Sequence, residues 1–285
     1  MDTNLAFQIV LNGLVMGATY ILIALGLAVV FSIGGVFNIA HGEFCMLGGF
    51  FFYYLFGKLG IPFILALCIS GFGVAVIGII IEKTLIHRIL DHFDAVLIIM
   101  MGTLLILSGG AMVIFGEQDK AIQSPFSGVR FFWGLYLSNE KLAVLIISAA
   151  LGLGLYLFFT RIKAGRALRA IGQDIEASAI VGIDTARYST LSFGIAGFLA
   201  GIAGALLGLL FLVSPFVGIP YLLKGIIVII LGGLGSLAGA VVGGLFLGVL
   251  ESITLTVIGT GAELVSFSIL ILVILFRPTG LFGHE

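Results

Sequence analysis

Charged positions are rare along this chain, and the gaps between them predict its elements. No Asp, Glu, Lys or Arg occurs between Asp2 and Glu43. Further charge-free stretches run from Glu43 to Lys58, Lys58 to Glu82, Asp94 to Glu117, Lys141 to Arg161, Arg187 to Lys224, Lys224 to Glu251 and Glu263 to Arg277. A helix that crosses a bilayer needs about 20 apolar residues, and an unpaired charge in hydrocarbon costs roughly 2.5 kcal/mol or more. The gaps therefore predict membrane segments near residues 5–32, 44–57, 61–82, 95–116, 141–159, 188–213, 221–235, 237–258 and 264–276. Three of them (44–57, 221–235 and 264–276) are short, which predicts tilted, glycine-broken or re-entrant helices and eight to ten membrane segments in all. The expected fold is all-α, a polytopic transmembrane helical bundle forming a single domain over residues 1–285.

Composition narrows the function classes. Hydrophobic residues make up 61% and charged residues 9% of the chain, where a soluble domain carries about 25% charged. The net charge of −1 lacks the basic surface of a nucleic-acid binder. Cys45 and Cys68 both lie in apolar runs, so buried free thiols are expected rather than a disulfide framework.

Basic residues set an expected orientation. Lys83 and Arg88, then Arg161, Lys163, Arg166, Arg169 and Arg187, and finally Arg277 fall on one side if nine segments cross. Lys58, Lys120, Arg130 and Lys141 fall on the other. The more basic side is expected in the cytoplasm, with the N-terminus outside and the C-terminus inside. The lack of Lys or Arg before Lys58 argues against a cleavable leader with a basic start. The external stretch 117–140 holds Phe131, Phe132 and Trp133, which read either as an interfacial aromatic belt or as a docking surface.

Two glycine-centred breaks carry the candidate pathway. One is Gly34-Gly35 followed by Asn38, His41, Gly42 and Glu43; the other is Gly232, Gly233, Gly235 and Ser236, followed by Gly239, Gly243 and Gly244. Glycines let helices pack closely, which is the plain alternative. Unwound backbone at membrane depth is tolerated only where protein or a water-filled cavity satisfies it, and in transporters such breaks line the substrate site. The stretch Gly26–Gly49 weakly resembles Gly225–Gly248, which suggests an internal duplication. His41 is expected to bond either Glu43 or backbone, and Lys224, Glu251 and Glu263 are expected to snorkel toward headgroups.

Residues 161–187 are too polar to span. Leu168, Ile171, Ile175 and Ala179 recur at spacings of three and four, which predicts a helical face. Gly172 and Gly182 interrupt it, predicting two short helices about a turn at Gly172-Gln173-Asp174. Asp174 is placed to cap the second helix, and Glu176 falls in its first turn. His87, Arg88, Asp91 and His92 read as a solvated turn, and no GxxxxGK[ST] phosphate loop occurs anywhere.

The run Glu176-Ala177-Ser178-x3-Gly182 resembles the E-A-A-x3-G pattern by which permease subunits of bacterial ABC importers present a coupling helix to their ATPase. With Asn38–Phe44, Gly165-Arg166-Ala167-x-Arg169-Ala170, Leu231–Ser236 and Arg277–Gly283, the whole chain resembles the LivH-type permeases of branched-chain amino-acid ABC importers. That resemblance implies a non-catalytic permease subunit of a bacterial inner membrane. Its implied partners are a related second permease, two ATP-hydrolysing subunits that carry ATP and magnesium, and a periplasmic solute-binding protein, with no cofactor on this chain. It assigns Glu176, Ala177, Ser178 and Gly182 to ATPase coupling, with Arg166, Arg169 and Asp174 beside them. The small Ala177 and Ser178 are expected to seat in a groove of the ATPase. Asn38, His41, Glu43, Gly232, Gly233, Gly235 and Ser236 are the expected pathway residues. Branched-chain or other hydrophobic amino acids are the expected cargo; a permease for urea or short amides and an ion-coupled carrier built on His41 and Glu43 are the alternatives.

Overall fold

The computed structural model describes residues 3–35, 37–87, 89, 92–132, 134–276 and 280. Arg88, Asp91, Trp133 and the motif from Arg277 to Gly283, apart from Gly280, lie outside the described residues, as does the side chain of Glu263. The fold is nearly all-α. Helix α1 (Thr3–Gly34), α2 (His41–Phe52), α3 (Phe63–Ile81), α4 (Phe93–Phe115), α5 (Asn139–Arg161), α6 (Lys163–Gln173), α7 (Ile175–Ile180), α8 (Thr185–Leu210), α9 (Gly218–Gly232), α10 (Leu237–Ile258) and α11 (Ala262–Phe276) follow in order. The last turns of α2 and α3 widen into π-helix over Tyr53–Lys58 and Glu82–Ile86.

Each predicted apolar segment overlaps one of these helices. Six helices, α1, α3, α4, α5, α8 and α10, are long and apolar enough to cross a membrane. The three short segments correspond to α2, α9 and α11. The segment expected at 188–213 ends sooner: α8 stops at Leu210, and Leu212–Val213 forms a strand, β4, antiparallel to β1 (Lys120–Ala121). Strands β2 (Val129–Phe132) and β3 (Leu135–Ser138) make a hairpin, and Phe131 in it is exposed.

Helix α1 is the central mast. At about 1.5 Å per residue its 32 residues run ~48 Å, longer than the hydrocarbon core. It packs against α5, α8, α9 and α10, which is why its apolar residues need no polar face. The α1–α10 seam is made by glycines. A methyl at Gly17 would lie 2.7 Å from the Gly244 carbonyl, and one at Gly13 would lie 2.5 Å from the Val249 Cα. By contrast α4 and α5 leave most of their apolar surface outward, as lipid contact requires.

Contacts fix the two ends of the bundle. The β2–β3 hairpin meets the start of α1, where Gln8 donates through Nε2 to the Tyr136 carbonyl at 3.0 Å and accepts through Oε1 from the Tyr136 amide at 2.8 Å. At the opposite end α6 packs under the end of α1, a methyl at Gly172 lying 2.8 Å from the Ser32 carbonyl. Lys83, Arg187 and α6 gather at that same end. Both cysteines are free, but only Cys45 is buried; Cys68 is half-buried.

Candidate functional site

The first glycine break lies deep. Gly35 ends α1 with φ +62, and the chain turns back into the bundle before α2 begins at His41. His41 Nε2 donates to the Ile23 carbonyl at 3.1 Å, and Gly26, also against His41, abuts Ala196. Ile23 and Ala196 each lie 11 residues, about 16 Å, from the ends of α1 and α8 nearest α6. Helix α2 therefore starts well inside the bundle and runs away from α6.

Its counterpart is not the expected Gly232–Ser236 stretch. Residues 211–217, which contain Ser214 and Pro215, bring the chain back inward from the end of α8, and α9 begins where α2 begins. A methyl on Gly42 would collide with the Gly218 carbonyl, and one on Gly218 with the Glu43 carboxylate. Two helix N-termini thus converge inside the bundle and point in opposite directions. Their positive ends favour negative charge, and Glu43 occupies the first turn of α2 against the first residue of α9.

Polar capacity at this junction is unspent. Asn38, His41 and Glu43 are all buried. Both side-chain polar atoms of Asn38, His41 Nδ1 and Glu43 Oε2 have no hydrogen-bond partner among the described residues. Asn38 lines a cavity of about 20 Å³ with Ser189 and Ser192, which is room for one water. His41 bonds backbone, not Glu43.

Gly232, Gly233, Gly235 and Ser236 form the tight turn between α9 and α10. A methyl at Gly232 would strike the Gly239 carbonyl, and one at Gly239 the Gly232 carbonyl, so this glycine pair serves helix packing. Gly233 and Gly235 take φ +100 and +78 to reverse the chain. Ser236 Oγ accepts from the Gly239 amide at 3.0 Å and caps α10.

Two polar clusters were not legible as clusters. Lys224 does not snorkel: its Nζ lies 2.6 Å from Glu251 Oε1 and donates to the Tyr20 hydroxyl at 3.0 Å. Two opposite charges, each isolated in a neighbouring apolar stretch, were the available signal. Glu82 is fully buried; its Oε2 accepts from Thr190 Oγ1 at 2.5 Å. His87 Nδ1 lies 3.4 Å from its Oε1, so His87 is a partner of Glu82 rather than a purely solvated residue.

The 161–187 segment folds as two short helices, α6 and α7. Asp174 Oδ1 accepts from the Ala177 amide at 2.8 Å and caps α7. The end of α7 is a Schellman turn: the Gly182 amide bonds the Ala179 carbonyl, the Ile183 amide bonds the Ser178 carbonyl, each at 3.0 Å, and Gly182 has φ +86. Leu168 and Ile171 are buried, as the spacing predicts, but Ile175 and Ala179 are exposed. Ser178 is buried within the chain and offers no surface for seating in a groove. Ala177, Ile180 and Val181 face outward instead. Arg166, Arg169 and Glu176 are all exposed, and Arg169 also lines a recess of about 280 Å³ with Tyr156, Phe159 and Leu237.

Residues 9–276 match a family model described as the permease component of the branched-chain amino acid transport system. This chain belongs to that family. The permease is 32% identical to the high-affinity branched-chain amino acid transport system permease protein BraD of Pseudomonas aeruginosa, over 97% of this chain and 95% of BraD. It is also 32% identical to LivH of Escherichia coli, with the same coverage. A second Escherichia coli protein of that transport system, the permease LivM, is 26% identical over 92% of this chain and 67% of its own length.

Proposed function

We propose that this permease is the non-catalytic membrane subunit of an ATP-driven importer that moves branched-chain or other hydrophobic amino acids. The observation that carries the reading is the near end-to-end similarity to permeases named for that transport. The site supports it chemically. Half-helix N-termini that converge inside the bundle beside the unpartnered polar atoms of Asn38 and His41 suit the passage of a polar head group, and the surrounding helices supply apolar walls for an aliphatic side chain.

The importer reading adds partners: a related second permease, two ATP-hydrolysing subunits holding ATP and magnesium, and an external solute-binding protein. The basic end of the bundle faces the cytoplasm by the positive-inside rule, which leaves Thr3 outside, the C-terminus inside and nine of the helical segments as membrane elements. Helices α6 and α7 are then the coupling segment, with Ala177, Ile180, Val181 and Glu176 as its outward contacts. Asn38, His41, Glu43, Gly42 and Gly218 form the pathway. The Gly232–Ser236 turn joins α9 to α10 near the cytoplasmic face.

Affinity purification of the tagged chain in mild detergent, followed by leucine uptake in proteoliposomes, tests the reading. Recovery of an ATPase and a second permease, with uptake that requires ATP and the external binding protein, is the expected result. Leucine uptake by this chain alone, with no ATPase recovered, would establish the secondary carrier instead.

A further inference from the structure

A charged pair inside a membrane bundle demands an explanation. Lys224 belongs to α9 and Glu251 to α10, each in the middle of an apolar helix. Their Nζ and Oε1 atoms are 2.6 Å apart, and the side chains are 20% and 6% exposed. Tyr20, midway along α1, completes the group: its hydroxyl accepts from Lys224 at 3.0 Å, and the ammonium lies 5.0 Å from its ring centroid. Desolvating two charges costs more than their attraction reliably returns, so well-packed apolar residues would serve stability at least as well. A purely structural role is therefore an expensive one.

The bonding is also incomplete. Glu251 Oε2 is buried with no hydrogen-bond partner among the described residues, which leaves a full acceptor aimed into the protein. The Lys224 side chain stays partly exposed, where that of Glu251 is almost wholly enclosed. Lys224 is six residues beyond Gly218, about 9 Å along α9 from the junction of the two half-helices. A cation and an anion side by side, one partly exposed and one with spare capacity, complement a molecule that carries both charges on adjacent carbons.

We infer that Lys224 and Glu251 form the recognition pair for the zwitterionic head of the transported amino acid. Lys224 takes the α-carboxylate, Glu251 takes the α-ammonium through Oε1 and Oε2, and the two side chains bond each other when no substrate is present. Tyr20 holds the Lys224 ammonium in place while the partners exchange. The exchange keeps charges neutralised throughout, so the site need not expose an unpaired ion to the bilayer. This assignment rests on the amino-acid reading above and adds where and how the head group is held.

The test uses the assembled importer in proteoliposomes, with labelled leucine and its external binding protein. Two double variants are compared with the parent: the charge swap Lys224→Glu/Glu251→Lys and the apolar pair Lys224→Met/Glu251→Leu. Thermal stability and basal ATPase report whether each complex is intact. The expected result is complexes that assemble and hydrolyse ATP like the parent, while leucine uptake falls about tenfold or more, as loss of charge-assisted bonds to substrate requires. Uptake restored by the charge swap, or retained by the apolar pair, would overturn the assignment and make the pair a structural staple. Failure of both variants to assemble would overturn it in the same way. Should the parent complex move no leucine at all, the amino-acid reading itself falls, an outcome visible before any variant is compared.

Discussion

Two glycine-rich breaks that look alike along the chain are physically different objects. Around Gly42 and Gly218 the backbone is buried, and Asn38, His41 and Glu43 keep polar atoms without partners. Around Gly233 and Gly235 the glycines supply positive φ for a turn, and Ser236 spends its hydroxyl on an ordinary cap. Glycine content alone reports that backbone must come close or turn sharply. Depth and unspent polar capacity are what separate a candidate pathway from a hairpin.

The largest expected effect comes from the deep break. Gly42→Val pushes a side chain into the Gly218 carbonyl, and rigid backbone on both sides cannot yield, so no assembled complex and no uptake are expected on purification. The matched control is Gly235→Ala, where a methyl meets nothing within 4 Å and only the φ of +78 resists. It should cost about 1–2 kcal/mol and leave leucine uptake in place. Equal damage from both would erase the distinction between the breaks.

Next in size is the buried pair. Glu251→Leu alone strands the Lys224 ammonium, at a cost of roughly 3–5 kcal/mol, read as a lowered melting temperature of the complex in detergent. Adding Lys224→Met should return most of that stability, because no charge then remains to be solvated. A single variant as stable as the double would mean that water reaches Lys224 freely.

A smaller effect is expected at the end of α7. Gly182→Val forces a β-branched residue to φ +86, costing on the order of 1–3 kcal/mol locally. Nothing lies within 4 Å of a methyl there, so the harm is conformational rather than steric. Membrane insertion should persist while substrate-stimulated ATPase falls, and Gly182→Asn, which tolerates this conformation, should retain it. The smallest effect is Ser236→Ala, which removes the α10 cap for about 1 kcal/mol. Uptake should be unchanged; a large loss would return the α9–α10 turn to the pathway.

Most of the fold was legible because hydrocarbon punishes charge: every long gap between charged residues holds most of a helix. The cap at Asp174 and the turn at Gly182 were legible because they are local, set by residues three to five apart. The second deep break was not. Its marks are Ser214 and Pro215, modest beside the run Gly232-Gly233-Leu234-Gly235, which drew attention to the wrong turn. Pairing between Lys224 and Glu251 depends on how α9 and α10 face each other, and Ser178 is buried because α7 folds back on α8. Such facts follow from tertiary packing, not from spacing.

Backbone resting on backbone along Gly13, Gly17, Gly244 and Gly248 leaves α1 and α10 no cushion of side chains on which to glide. A slide of about one turn along the seam would bring Ile9 or Ile21, which share this face of α1, into a gap sized for a hydrogen atom. The two helices consequently travel as one strut. The seam thus sets α1 and α10 as a fixed frame, against which the short α2 and α9 begin at Gly42 and Gly218.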